Sequence, residues 1–150
     1  MRITSADLTR SYQLTGFRVH DANVIGACYG DEGPFVLAIR RVDEVVTRIA
    51  FIDVTQFGFR EFRNGAIISD IFVWPVAEAP TSASTHEDGA WAIVFGNHLP
   101  LSHLPAEMER VAAAGMSKYL VAVETSYGGG IAVLCNDIDV DTPPVPWTEK

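Results

Sequence analysis

Hydrophobic positions along this chain fall in short runs of strand length, separated by clusters of turn-forming residues. Ala22–Tyr29 (ANVIGACY) and Phe35–Val42 (FVLAIRRV) are apolar at nearly every position and flank GDEGP, so they predict a hairpin. Runs of this kind suit strands buried on both faces or inside a sandwich core. Arg48–Gln56 (RIAFIDVTQ) predicts a third strand. Phe57–Arg63 then meets Asn64-Gly65, two residues that tolerate positive φ, so Ala66–Val73 is expected to return as its hairpin partner and Pro75 to end it. Trp91–Phe95 (WAIVF) predicts another strand, and Tyr119–Ser126 and Ile131–Cys135 flank Tyr127-Gly128-Gly129-Gly130 as a closing hairpin.

Helical signals are sparse. Pro105–Ala114 (PAEMERVAAA) has Pro at its start, Glu107 and Glu109 early and Gly115 as a stop, which predicts one short helix near 105–114. Residues 76–90 are rich in Ala, Ser, Thr and Pro without a period and predict a long loop. In the last strand, Ile131, Val133 and Cys135 share one parity while Ile138 and Val140 take the other. A bulge or break at Asn136-Asp137 restores a single apolar side. The tail 141–150, with Pro143, Pro144 and Pro146, is expected to be extended. The sum is a single domain over 1–150, mainly β with α+β at the margin: an antiparallel sandwich or curved sheet of about eight strands and one short helix.

Charge is the most uneven property of the chain. Residues 1–75 carry eight bases and nine acids, net −1, whereas residues 76–150 carry three bases and ten acids, net −7; together they make the −8 of the whole chain. That sign argues against a nucleic-acid or anionic-membrane partner, and it favours a basic protein if the acids share a face. The N-terminus lacks the apolar run of a signal peptide, and no stretch approaches the ~20 apolar residues of a membrane helix. Cys28 and Cys135 both lie in apolar strand-like runs and read as reduced core residues, in keeping with a cytoplasmic protein.

Candidate chemistry is thin. Asp137, Asp139 and Asp141 alternate on a strand, so their carboxylates point the same way about 7 Å apart. Such a row suits a basic partner or a solvated face; a calcium loop would need Gly at its sixth place and Glu where Thr148 stands. His20-Asp21 offers two adjacent metal ligands, but Asp21 and Asn23 before a strand suit a turn better. His98 and His103 flank Pro100, which denies them one helical face, and His86 lies in the long loop. Neither a nucleophile elbow nor a phosphate loop is present, so no catalytic residue and no cofactor is expected.

The segment Phe17-Arg18-Val19-His20-Asp21-Ala22 resembles the aromatic-His-Asp-Ala opening of small bacterial immunity-like proteins of polymorphic toxin systems. Ile49–Val54, the stretch from Asn64-Gly65 to Ile71, and TSYGGGIAVLCNDIDV are similar to that group in order and spacing, over about half the chain. Here Arg18 and Val19 separate the aromatic residue from His20, and the 76–90 loop has no counterpart. The resemblance implies a cytoplasmic antidote that occludes a toxin, often a basic one. Asp137, Asp139 and Asp141 are then the expected contacts, with Glu124 if the closing hairpin exposes it. Two rival expectations stand beside it. One is a small-ligand binding β domain with the 76–90 loop as lid. The other is a metal-dependent hydrolase built on His20, Asp21 and either His98 or His103. Self-association through an exposed edge strand is compatible with all three.

Overall fold

In a computed structural model, which describes residues 1–15, 17–31, 33–80, 89–96 and 99–141, eight strands form two antiparallel four-stranded sheets. In chain order they are β1 (Asn23–Cys28), β2 (Phe35–Arg40), β3 (Val46–Ile52), β4 (Gln56–Arg60), β5 (Ile68–Pro75), β6 (Tyr119–Thr125), β7 (Gly130–Cys135) and β8 (Asp137–Asp141). The first sheet runs β1-β2-β3-β8 and the second β4-β7-β6-β5. Two helices, α1 (Gly89–Phe95) and α2 (Leu104–Ala114), join them. The mainly β, sandwich-like architecture expected from the residue pattern is present.

Two apolar cores give the molecule three layers. Between the sheets lie Phe35, Leu37, Ile39, Ile49 and Phe51 of the first sheet against Ile71, Val73, Val121, Val123, Ile131 and Val133 of the second. Beyond the second sheet, Leu120, Ala122, Ala132 and Leu134 meet Trp91, Val94 and Leu104 of the helical layer. The strands buried on both faces are therefore β6 and β7, not the β1–β2 pair, which exposes one face.

The break expected at Asn136-Asp137 is where the chain changes sheets. Strands β3 and β4 on one side, and β7 and β8 on the other, run as one bent antiparallel pair through both sheets. Ile52 faces Asp137 before the corner and Gln56 faces Leu134 after it, so residues 53–55 stand against residues 135–136. This excess of one residue is a bulge, and Asp53 absorbs the bend at φ 51°. Cys135 and Ile138 thereby face the same core despite their opposite parity.

Three expectations are corrected. Trp91–Phe95 is helical, not a strand: a five-residue apolar run fits a buried helix as well as a strand, and here both sheet and helix bury it. Among the described residues there are consequently two helices rather than one. Arg48–Gln56 is not one strand: β3 ends at Ile52, residues 53–55 form the corner and Gln56 opens β4. Asn64-Gly65 does form a turn, with Gly65 at φ 82° and Ala66 N–H bonded to the Arg63 carbonyl at 3.1 Å, but β4 and β5 do not pair. They flank opposite sides of the β6–β7 hairpin, the most apolar pair in the chain, and residues 65–68 pair across to β1 instead.

Other parts of the chain pair with the sheet edges. Ile3 N–H bonds to the Ile138 carbonyl at 2.9 Å and Val140 N–H to the Met1 carbonyl at 2.8 Å, which covers β8. Leu14 N–H bonds to the Ile71 carbonyl at 2.7 Å and Val73 N–H to the Tyr12 carbonyl at 2.9 Å, which covers β5. The N-terminal arm thus straps both sheets. Of the expected 76–90 loop, Val76–Glu78 form a 3-10 turn and Gly89-Ala90 open α1, while residues 81–88 lie outside the described residues, as does the tail after Asp141.

Candidate functional site

Strand β8 alternates buried Ile138 and Val140 with Asp137, Asp139 and Asp141, so the three carboxylates project from the outer face of the first sheet. The side chains of Asp137 and Asp139 are 28% and 43% exposed. The expected row is therefore formed, but it is not an unanswered negative stripe. Arg2, carried alongside β8 by the arm, places Nη1 3.7 Å from Asp137 Oδ2 and Nε 3.9 Å from Asp139 Oδ1. Asp141 stands opposite Arg48 in the β3 register.

The rest of this face is small and aliphatic. Register puts Ala50 and Ile52 of β3 beside the acids, then Val36 and Ala38 of β2, with Cys28 of β1 opposite Val36. Val36, Ala38, Ala50 and Ile52 are half-buried, and no described helix packs on this face. The corresponding face of the second sheet lies under both helices. Among the described residues, the outer face of the first sheet is thus an uncovered aliphatic strip, bordered by three acids on one side and by Arg40 and Arg48 at one end.

Glu124 does not join the row. It is 3% exposed on β6 and registers between Asp70 of β5 and Gly130 of β7, so the closing hairpin buries it instead of presenting it. Nor do the acids of the second half of the chain share a face. Glu107 and Glu109 sit on α2 in the helical layer, on the other side of the molecule from β8. Composition gave the excess but not its placement, because the fold sends α2 and β8 to opposite layers.

His20 and Asp21 touch each other, Nδ1 to Oδ2 at 3.0 Å, and both are exposed. They occupy the turn into β1: Ala22 N–H bonds to the Val19 carbonyl at 3.0 Å, and Asp21 has φ 62°. His103 precedes α2 in the helical layer; His86 and His98 lie outside the described residues. Among the described residues, no three His, Cys, Asp or Glu side chains gather as metal ligands do. Both cysteines are free thiols, but only Cys135 is a core residue; Cys28 is exposed on β1, a correction to its apolar surroundings in sequence.

A cleft of about 430 Å³ that residue patterns did not signal lies at the Asn64-Gly65 end of the sandwich, lined by Glu61, Phe62, Arg63, Ala66, Thr125 and Tyr127. Its walls come from the β4–β5 connection and the β6–β7 hairpin, segments far apart in sequence that local patterns could not bring together without the sheet order. The 76–80 segment leaves β5 at the opposite end of that strand, so the described part of the proposed lid does not cover this cleft.

Comparison with known proteins finds no matching family model, no matching curated protein and no matching solved structure.

Proposed function

We propose that the chain is a non-enzymatic protein-binding domain, an immunity-type antidote that occludes a basic partner protein in the cytoplasm. One observation carries the reading: Asp137, Asp139 and Asp141 line up beside an aliphatic strip on the outer face of the first sheet that no described element covers. A rigid sheet face with an apolar centre and a charged border suits stoichiometric docking, at a standard size of roughly 800 Å² per partner. The carboxylates steer the encounter and fix the register, and the aliphatic strip supplies the desolvated area. Arg2 holds the row in the free protein through exposed ion pairs, which contribute at most about 1 kcal/mol each, so a partner's basic side chains displace it readily.

The test is an affinity capture from lysate of the source cell, followed by kinetics with the purified partner. A single basic protein held near 1:1, released by high salt, is the expected result. With the double variant Asp137→Lys/Asp139→Lys, the association rate should fall at least tenfold at low salt while the dissociation rate changes little. Arg2→Ala should raise the association rate. Recovery of chaperones alone, or a partner indifferent to both salt and charge reversal, overturns the reading.

A second reading has an observation of its own, the cleft with Arg63, Glu61, Phe62 and Tyr127, whose volume falls in the range of small-molecule sites. It supports a small-ligand domain. A thermal-shift screen tests it: a ligand at about 100 times its Kd adds about 2.7 kcal/mol of stability. Arg63→Ala should abolish that shift for an anionic ligand.

A further inference from the structure

An unpaired sheet edge presents a row of backbone donors and acceptors to any strand that approaches it. Among the described residues β8 is paired with residues 1–3 and β5 with residues 12–14, while β1 is paired at Asn23 and Val24 with residues 65–67 and is open beyond them. Among the described residues, β4 pairs with β7 alone. Its sequence, Gln56-Phe57-Gly58-Phe59-Arg60, has neither the proline nor the central charge that protects most edges. Beside it Phe59 and Tyr29 are 48% and 49% exposed, high values for large aromatic side chains. They belong to a ring cluster along the seam between the sheets, with centroids 4.9 Å apart for Tyr29–Phe57, 5.4 Å for Phe57–Phe59 and 5.9 Å for Phe59–Phe62.

We propose that β4 pairs antiparallel with β4 of a second copy of this chain, joining the two second sheets into one eight-stranded sheet about a two-fold axis. The strand is self-complementary in that register. With the axis at Gly58, each Phe57 stands opposite the other copy's Phe59 and each Gln56 opposite the other copy's Arg60, so no like charges face each other. Cross-strand aromatic pairs are among the favourable ones, and the half-exposed Phe59 ring gains cover. A two-fold axis normal to the sheet keeps both aromatic rows on one side and sets the two α1 helices side by side on the other.

Charge opposes a like partner little at this edge. Copies of a −8 chain repel, but β4 lies in the half that carries only −1, and its own charge is the single Arg60. A five-residue edge with a few rings is small beside the roughly 1,200–2,000 Å² of stable interfaces, so the dimer is weak and concentration-dependent. The acid row lies on the other sheet, so this inference is independent of the proposed function.

Sedimentation over a concentration series from low to high micromolar tests it, with amide exchange at both ends of the series. The mass should rise from 16.4 kDa towards twice that value. Exchange of the β4 amides should slow at least threefold at the high end, with the β8 and β5 amides unchanged. Phe59→Lys, a change at a half-exposed site, should keep the mass at the monomer value. A monomer throughout with concentration-independent β4 exchange overturns the proposal. So does a dimer that survives Phe59→Lys. Should that variant fail to fold, the exchange measurement on the unmodified chain decides alone.

Discussion

Cys135 is fully buried in β7, and burial, with the nearby charge of Asp137 adding to it, pushes its thiol up to about 12. Cys28 lies exposed on β1. An aromatic disulfide reagent should therefore modify one thiol per native chain promptly and the other only on unfolding, and Cys28→Ser should remove the fast phase. The raised value also sets a sign. The unfolded thiol ionises near about 8.5, so the stability linked to a protonated Cys135 is fully present below that pH and is lost as pH rises towards about 12. Cys135→Ala should flatten that alkaline loss in denaturation experiments run at successive pH values. Asp43 behaves in the opposite sense. Burial disfavours its charge, but hydrogen bonds from Arg41 and the Val45 N–H outweigh that and hold the carboxyl below its ordinary value. Its contribution is present above about pH 3.9 and lost as pH falls through the lowered native value. Asp43→Asn should lower the melting temperature at neutral pH and lose that deficit in strong acid. Both cysteines looked alike in sequence, because each sits in an apolar run; the strand's position in its sheet, which no local pattern encodes, separates them.

At the scale of elements, Gly58 joins β4 to α1. A Cβ at that position would overlap the Ile93 carbonyl oxygen, a backbone group that cannot swing aside. Gly58→Ala should lift α1 and cost about 1–3 kcal/mol in chemical denaturation, while Gly26→Ala, with open space around it, should stay within about 0.5 kcal/mol. Elements defined by punctuation were legible beforehand: α2 came out within one residue of its expected start, with Gly115 at φ 62° as its stop. The parity change at Asn136-Asp137 also located a real corner, since a switch of sheet must realign the apolar side. The error at Trp91–Phe95 has the matching cause. An all-apolar run carries no period, and the deciding fact, a glycine in β4 shaped to accept a helix backbone, lies 33 residues upstream of Trp91.

For the whole molecule, strand pairing is where local signals stop. The Asn64-Gly65 turn was visible, but which strands flank it in space depends on the β6–β7 hairpin taking the centre of the second sheet. The acid row was likewise visible as alternation, while Arg2 beside it was not, because that contact joins the two ends of the described chain. The arm that carries Arg2 also buries Ile3, and Ile3→Ala should cost about 2–4 kcal/mol and speed amide exchange at Val140. Its geometry has a mechanical consequence. Residues 1–3 run antiparallel to β8, with Met1 beside Val140, so a pull on the first residue and on the chain after Asp141 loads these bonds one at a time. The arm unzips under low force, where a parallel strap would resist in shear. A tether attached at those two points should peel the arm first and release Arg2 from the carboxylates before either sheet yields.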